Sequence, residues 1–191
     1  MYKNFLKRLL DLFLSGIGII LLTPLMLIIA IAIIIDDPGP IFFTQKRVGV
    51  RKKNFRIFKF RTMKVNTPHD TPTHMLINPD KYITRVGCSL RKTSLDELPQ
   101  LFNILFGDMS IIGPRPALWN QDDLILERDK YHANNIRPGL TGWAQINGRD
   151  ELEIYDKAKL DGEYVKKMSF TFDWICFFGT IKSVLKRGGV M

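Results

Sequence analysis

Acidic residues are nearly missing from the first third of this 191-residue chain. Up to residue 69 there are three, against twelve Lys and Arg, whereas from residue 70 onward each sign contributes sixteen. The whole formal excess of +9 therefore sits in residues 1–69, and the question is what that third touches. Cysteine is as scarce. Cys88 and Cys176 stand far apart, which excludes a disulfide framework, and without a cleavable signal pattern a reducing compartment is expected. The three histidines, His69, His74 and His132, show no metal-ligand spacing with the cysteines, so they read as surface or loop residues. Internal repeats and low-complexity segments are lacking too. A chain of this length has material for one domain with a real core and little room for two.

What is present begins with residues 9–35, a run apolar except for Asp11, Ser15, Thr23 and a few small residues. It is long enough to cross a bilayer and too long for a signal peptide. A single spanning helix is the default, and two features oppose it. Thr23-Pro24 falls near the middle, where a proline inside a helix predicts a kink. Both flanks are cationic, with Lys3, Lys7 and Arg8 before the run and Lys46, Arg47, Arg51, Lys52 and Lys53 after it. The preference of cations for the cytoplasmic face then places both ends there. A re-entrant helix-break-helix with its break at Thr23 and Pro24 satisfies both flanks. Arms of about 12 residues reach roughly 18 Å, a little over half of a hydrocarbon core of about 30 Å.

Residues 46–64 hold nine Lys/Arg in nineteen positions, interleaved with Phe55, Phe58 and Phe60. Nucleic acid is one partner for such a run, but its position next to a membrane segment favours anionic lipid headgroups. No nucleic-acid partner is expected. Residues 55–63 read as a strand or an irregular edge. Residues 66–82 contain three prolines and read as a loop.

Leu98, Leu101, Phe102, Leu105 and Phe106 follow helical spacing, and Gly107 is placed to end that helix. Residues 122–134 read as a second helix and residues 151–168 as a third, broken or kinked at Gly162. The tail carries Trp174, Phe177 and Phe178 ahead of Lys182, Lys186 and Arg187; it reads equally as a helix in the membrane interface and as a core helix. The fold class expected is mostly α with little strand: a membrane hairpin over residues 1–37 and a compact cytoplasmic and interfacial domain over 38–191.

Three stretches bear on chemistry. Gly113-Pro114-Arg115-Pro116 presents one arginine between two prolines, which suits a rigid phosphate fork or an ordinary turn. Residues 137–149 join Arg137 and Arg149 to three glycines and several side-chain donors, Gly139 and Thr141 among them. Glycines let backbone N–H groups approach an anion, although a structured turn has the same composition. The third is RKTSLDELPQLF, residues 91–102. Ser94 and Glu97 match a capping box, and acids suit a first helical turn. Against this, Pro99 would lie inside the second turn of a helix begun at Ser94, and it should push Leu98 out of helical geometry. A helix starting near Pro99 leaves Asp96 and Glu97 ahead of it, free to face a site.

Taken together, the mid-helix proline, FKFRTM, RKTSLDELPQLFNILFGDMSIIGPRP, RPGLTGWAQINGR and the SFTFDW to VLKRGGV tail resemble the small monotopic phosphoglycosyl transferases, also called bacterial sugar transferases. The resemblance covers essentially the whole chain. It is closest to short enzymes that start glycan assembly from an N-acetylated amino sugar such as diacetylbacillosamine; longer members carry further transmembrane helices. Thr23 stands where the family often has Ser, and keeps the hydroxyl. The resemblance implies transfer of a sugar-1-phosphate from a UDP-sugar to polyprenyl (undecaprenyl) phosphate, with release of UMP, on the cytoplasmic face of the bacterial inner membrane. It implies Asp96 as nucleophile with Glu97 as partner, and a requirement for Mg2+, for which Asp96 and Glu97 are candidate ligands. A carboxylate attacking a diphosphate needs cations, and Lys59, Arg91, Arg115 and Arg137 are the candidates. Rival readings are a glycosyltransferase releasing UDP and a non-enzymatic membrane adaptor.

Overall fold

A computed structural model describes residues 2–67, 79–148 and 152–187. Most of the expected loop at 66–82, with His69 and His74, lies outside those residues, as do Arg149 and the side chains of Lys186 and Arg187. The protein is mostly helical with little strand, as its periodicity predicted.

Helix α1 (Lys7–Asp36) is one 30-residue helix that carries Pro24 inside it. The expected break does not appear in its secondary structure. A proline forfeits one backbone hydrogen bond, while a water-poor surrounding favours keeping the rest. Thr23 Oγ1 donates to the Ile19 carbonyl at 2.6 Å, a back-bond that accompanies helix bending. The helix is long and apolar enough to cross a membrane. One stripe of it is buried, through Asp11, Ser15, Met26, Ile29 and Ile33. The opposite surface bares Ile20, Leu21, Leu27, Ile28, Ile31 and Ile35, the last 77% exposed.

Both ends of α1 are tied to the rest of the protein. At the start, Lys7 Nζ meets Asp173 Oδ2 at 2.6 Å, Arg8 donates to the Ile104 and Leu105 carbonyls, and Asp11 accepts the Ile111 N–H. At the end, Asp36 accepts the Val86 N–H at 2.9 Å and Asp37 pairs with Arg61. Between these ends, Met26, Ile29 and Ile33 share a core with Phe60 and Leu90.

The basic stretch is a hairpin. Strands β1 (Phe42–Val48) and β2 (Asn54–Phe60) run antiparallel, from Phe42 opposite Phe60 to Val48 opposite Asn54. Arg51 and Lys52 turn the chain in the left-handed region. Helix α2 (Arg85–Thr93) was not legible in the sequence, because Gly87 disguises it. Gly87 is needed there, since a Cβ would stand 2.1 Å from the Thr62 carbonyl oxygen. Thr84 Oγ1 caps this helix by accepting the Gly87 N–H. Helix α3 (Gln100–Phe106) follows and ends at Gly107, whose φ of 98° a side chain would resist. The short parallel strands β3 (Ser110–Ile112) and β4 (Gly139–Thr141) bring two motif loops side by side.

The second expected helix is shorter than read. Helix α4 (Asp122–Asp129) stops before His132, which takes a left-handed turn. After the single turn α5 (Trp143–Ile146) comes α6 (Ile154–Lys167), which runs unbroken through Gly162. Gly162 is a point of close approach, not a kink: a Cβ would meet the Tyr131 side chain at 2.5 Å. Arg128 and Asp161 form a buried ion pair between α4 and α6 at 2.6 Å. Helix α7 (Phe170–Arg187) buries Asp173 and Cys176 and bares Phe170, Trp174, Ile175 and Phe178.

Candidate active site

The local grammar around the two acids resolves against a capping box. Ser94 ends α2 in the left-handed conformation, φ 57°, and its side chain caps nothing. Leu95–Glu97 then forms a single 3-10 turn, and α3 begins only at Gln100, behind a fully buried Pro99. Leu98, however, stays in the helical region, with φ −53° and ψ −38°, contrary to expectation. Its N–H bonds the Leu95 carbonyl and its side chain packs on the core of Met26, Phe60 and Leu90. That packing overrides the local bias from Pro99. Asp96 and Glu97 thus sit in a tight turn between two helices, both 9% exposed.

Three cationic side chains converge on them from separate elements. Lys59, near the end of β2, places Nζ 2.7 Å from Glu97 Oε1 and 3.7 Å from Asp96 Oδ2. Buried Asn103 of α3 holds β2 in place by accepting the Phe58 N–H at 2.9 Å and donating to the Arg56 carbonyl at 2.8 Å. Arg115 reaches the same Glu97 oxygen at 3.1 Å. Arg91, in the last turn of α2, donates Nε to Thr62 Oγ1 at 2.9 Å and lies close enough to Asp96 to favour its ionised form.

The loop carrying Arg115 is held from both sides. Gly113 and Gly139 exchange close backbone contacts; the Gly113 N–H bonds the Thr141 carbonyl and the Gly139 N–H bonds the Pro114 carbonyl, both at 2.8 Å. Gly139 accepts no side chain there, because a Cβ would lie 2.1 Å from Gly113 N. Thr141 Oγ1 is shared with Thr180 Oγ1 of α7 at 2.6 Å. Gly139 and Thr141 therefore support the Arg115 loop, and none of their described contacts reaches the acid pair. Arg137 also works elsewhere: it donates to the Gly107 carbonyl at 2.9 Å, beside Arg8, at the C-terminal end of α3.

Sequence reasoning missed Arg47 as a site residue, treating it as part of a basic flank. Its Nη1 donates to the Pro116 carbonyl at 3.1 Å, and the adjacent Val48 N–H bonds the Ala117 carbonyl. Burial, with Arg115 nearby, lowers its guanidinium to about 10, partly offset by Glu97. Only the pairing of β1 with the loop after β3 could have found it.

The two carboxylates are driven apart electrostatically. Burial raises Asp96 above its ordinary value; Lys59 opposes this and Glu97 adds to it. Burial also penalises Glu97, but Arg115 and Lys59 more than offset it and hold that carboxyl well below the usual range. Glu97 is thus a fixed anion, while Asp96 accepts no hydrogen bond among the described residues and stays the more basic of the two. The donor set suits magnesium, which takes one or two carboxylates and completes its shell with phosphate oxygens and water. Four cationic groups around two acids leave an excess of positive charge suited to a polyanion.

A profile of the bacterial sugar transferase family matches residues 2–187. The chain is 42% identical over 174 residues to a UDP-glucose:undecaprenyl-phosphate glucose-1-phosphate transferase of Xanthomonas campestris pv. campestris, covering 87% of this chain and 36% of that protein. It is 39% identical over 193 residues to a UDP-N-acetylgalactosamine-undecaprenyl-phosphate N-acetylgalactosaminephosphotransferase of Aeromonas hydrophila, covering 97% and 45%. Against the exopolysaccharide production protein ExoY of Rhizobium meliloti (strain 1021), identity is 36% over 197 residues, covering 95% and 87%. The chain spans less than half the length of the first two relatives and most of the third. Because the matched region takes in α1, the acid pair and the Arg115 loop alike, the chain belongs to the bacterial sugar transferase family.

Proposed function

We propose that this protein transfers a sugar-1-phosphate from a UDP-sugar to polyprenyl (undecaprenyl) phosphate. The observation that carries the reading is the buried Asp96–Glu97 turn with Lys59 and Arg115 on it, in which burial raises Asp96 while those two cations hold Glu97 low. In the first step an Asp96 oxygen attacks the sugar-bearing phosphorus. The bond to the bridging oxygen breaks, and UMP leaves with the electron pair. In the second step an oxygen of polyprenyl phosphate attacks the same phosphorus and restores the Asp96 carboxylate. Splitting the transfer suits one substrate from water and one from the bilayer.

Asp96, raised and accepting no hydrogen bond among the described residues, is the better nucleophile. Glu97, pinned by Lys59 and Arg115, is a poor proton acceptor and acts as the anchor for those cations. Lys59, Arg91 and Arg115 neutralise the diphosphate. Asp96 and Glu97 would hold Mg2+, which when bound supplies further charge neutralisation. The sugar is an N-acetylated amino sugar; one relative's name carries such a sugar and another's carries glucose.

The membrane reading is a monotopic one, with residues 1–37 re-entrant from the cytoplasmic face of the inner membrane and 38–191 outside the bilayer. It is supported by the ties at both ends of α1: a spanning helix would carry one of them to the far side. The bare aromatic face of α7 would lie in the interface. Nucleic acid is disfavoured because Arg47, Lys52, Lys59 and Arg61 are engaged within the protein. The test is a panel of UDP-sugars with polyprenyl phosphate. UMP release with an N-acetylated amino sugar, and a phosphosugar adduct on wild type but not on Asp96→Asn, is the expected result. UDP as product, or normal turnover by Asp96→Asn, overturns it.

A further inference from the structure

Away from Asp96, at the opposite end of α2, a cleft of about 950 Å³ opens between the end of α1, the start of α2 and the segments around Lys64 and Lys81. That volume is in the range of small-molecule sites. Its walls are built by the fold. Met63 pairs with Ile83 in an antiparallel bridge, the Lys64 N–H bonds the Tyr82 carbonyl at 2.8 Å, and the Thr84 N–H bonds the Thr62 carbonyl. This pairing fixes Lys64 and Lys81 on one rim, with Arg85 beside them.

The charges in the cleft divide into used and unused. Asp36 is spent on the Val86 N–H. Asp37 accepts the Val65 N–H and pairs with Arg61 at 3.2 Å. The side chains of Lys64, Lys81 and Arg85 are exposed and make no hydrogen bond or ion pair among the described residues. Arg85 opens α2, where the helix dipole disfavours a cation. An arginine held there with no partner among the described residues, beside two lysines in the same position, calls for an anion. The remaining wall is Ala32 and Ile35 of α1, continuous with the bare surface of Ile28 and Ile31. The ligand therefore has an anionic head and an apolar body.

We infer that this cleft binds one anionic glycerophospholipid, its phosphate among Lys64, Lys81 and Arg85 and its first methylenes along Ala32 and Ile35. The inference rests on the reading of α1 as membrane-embedded. The site is separate from the acceptor's, because the nine residues of α2 put about 13 Å between its start and the Asp96 turn. The lipid would fix the end of α1 at headgroup level.

The experiment is native mass spectrometry of the full chain in detergent, titrated with phosphatidylglycerol and separately with phosphatidylcholine. Wild type is expected to retain one phosphatidylglycerol in strong preference to phosphatidylcholine. Lys64→Gln/Lys81→Gln/Arg85→Gln should lose that preference by on the order of 100-fold, a few-fold for each cation. A control of equal charge change, Lys53→Gln/Arg56→Gln/Lys159→Gln, should keep it. Unchanged melting of the cleft variant separates lost binding from lost fold. Equal retention of both lipids by wild type, or equal loss in the control, overturns the cleft. So does a cleft variant altered only in its KM for polyprenyl phosphate, which would make the site the acceptor's. Failure of wild type to float with vesicles of any composition would instead overturn the membrane reading.

Discussion

Asp96 and Glu97 are adjacent, alike in charge and almost equally buried, yet their linkage to folding has opposite sign. Asp96 titrates higher in the folded protein than when unfolded, so the native state holds that proton more tightly. Stability falls as pH rises through that window. Glu97 titrates lower when folded. The stability it supplies is complete above its ordinary value of 4.5 and is lost as pH falls toward the folded value. At pH 7, Asp96→Asn should therefore raise the melting temperature while abolishing turnover. Glu97→Gln should lower it, with a loss of roughly 3 kcal/mol in stability, because Lys59 and Arg115 lose their shared anion. Thermal melts of both variants check the pair; a stabilised Glu97→Gln would refute the anchoring role. Ser94 offers a second test. It sits at φ 57° and caps nothing, so Ser94→Gly should stabilise by roughly 0.5 kcal/mol, the relief of left-handed strain less the entropy glycine adds to the unfolded chain. A true N-cap would have made the same change neutral or costly.

At the scale of elements, the site is an assembly of loose ends brought together by backbone packing. β2 supplies Lys59, α2 supplies Arg91, the 95–97 turn supplies the acids, and the loop after β3 supplies Arg115. Asn103 is the pin between β2 and α3, fully buried and bonded to both the Phe58 N–H and the Arg56 carbonyl. Asn103→Ala strands both backbone groups. Chemical denaturation should show a loss of about 2–3 kcal/mol, and activity should fall as Lys59 drifts from Glu97. Helices α2, α3 and α6 also carry the lesson about glycine. Gly107 ends its helix as the sequence pattern indicated. Gly87 and Gly162 sit inside helices because another backbone or ring lies too close for a Cβ.

For the molecule as a whole, the decisive feature is that α1 is anchored at both ends to one body. Lys7, Arg8 and Asp11 hold its start, and Asp36 and Asp37 hold its end. A bilayer across its middle would separate these contacts if the helix were straight and spanning. Pro24→Ala restores the missing helical hydrogen bond and should favour the spanning form. The measurement is cysteine labelling in intact cells of single cysteines near residue 3 and near residue 53. Wild type should leave both unreachable from outside. Pro24→Ala should expose a fraction of the N-terminal label and lose activity with it. External labelling of the wild-type N-terminus would end the re-entrant reading.

Short-range chemistry was legible in the sequence alone. Helical spacing from Leu98 to Phe106, the stop at Gly107, the apolar run of α1 and the displacement of the helix start past Asp96 all follow from rules acting over one or two turns. The need of a diphosphate for cations pointed to Lys59, Arg91, Arg115 and Arg137, and the fold brings the first three to the acids. Tertiary structure decided what those rules cannot reach. It folded the basic stretch into a hairpin and turned Arg47 inward onto the Pro116 carbonyl. It also gave Arg137, Gly139 and Thr141 supporting contacts away from the acid pair. It left Leu98 helical beside a proline because core packing outweighed the local bias. The physical reason is range: propensity and capping act between near neighbours, whereas burial and charge pairing act between residues 18 to 166 positions apart.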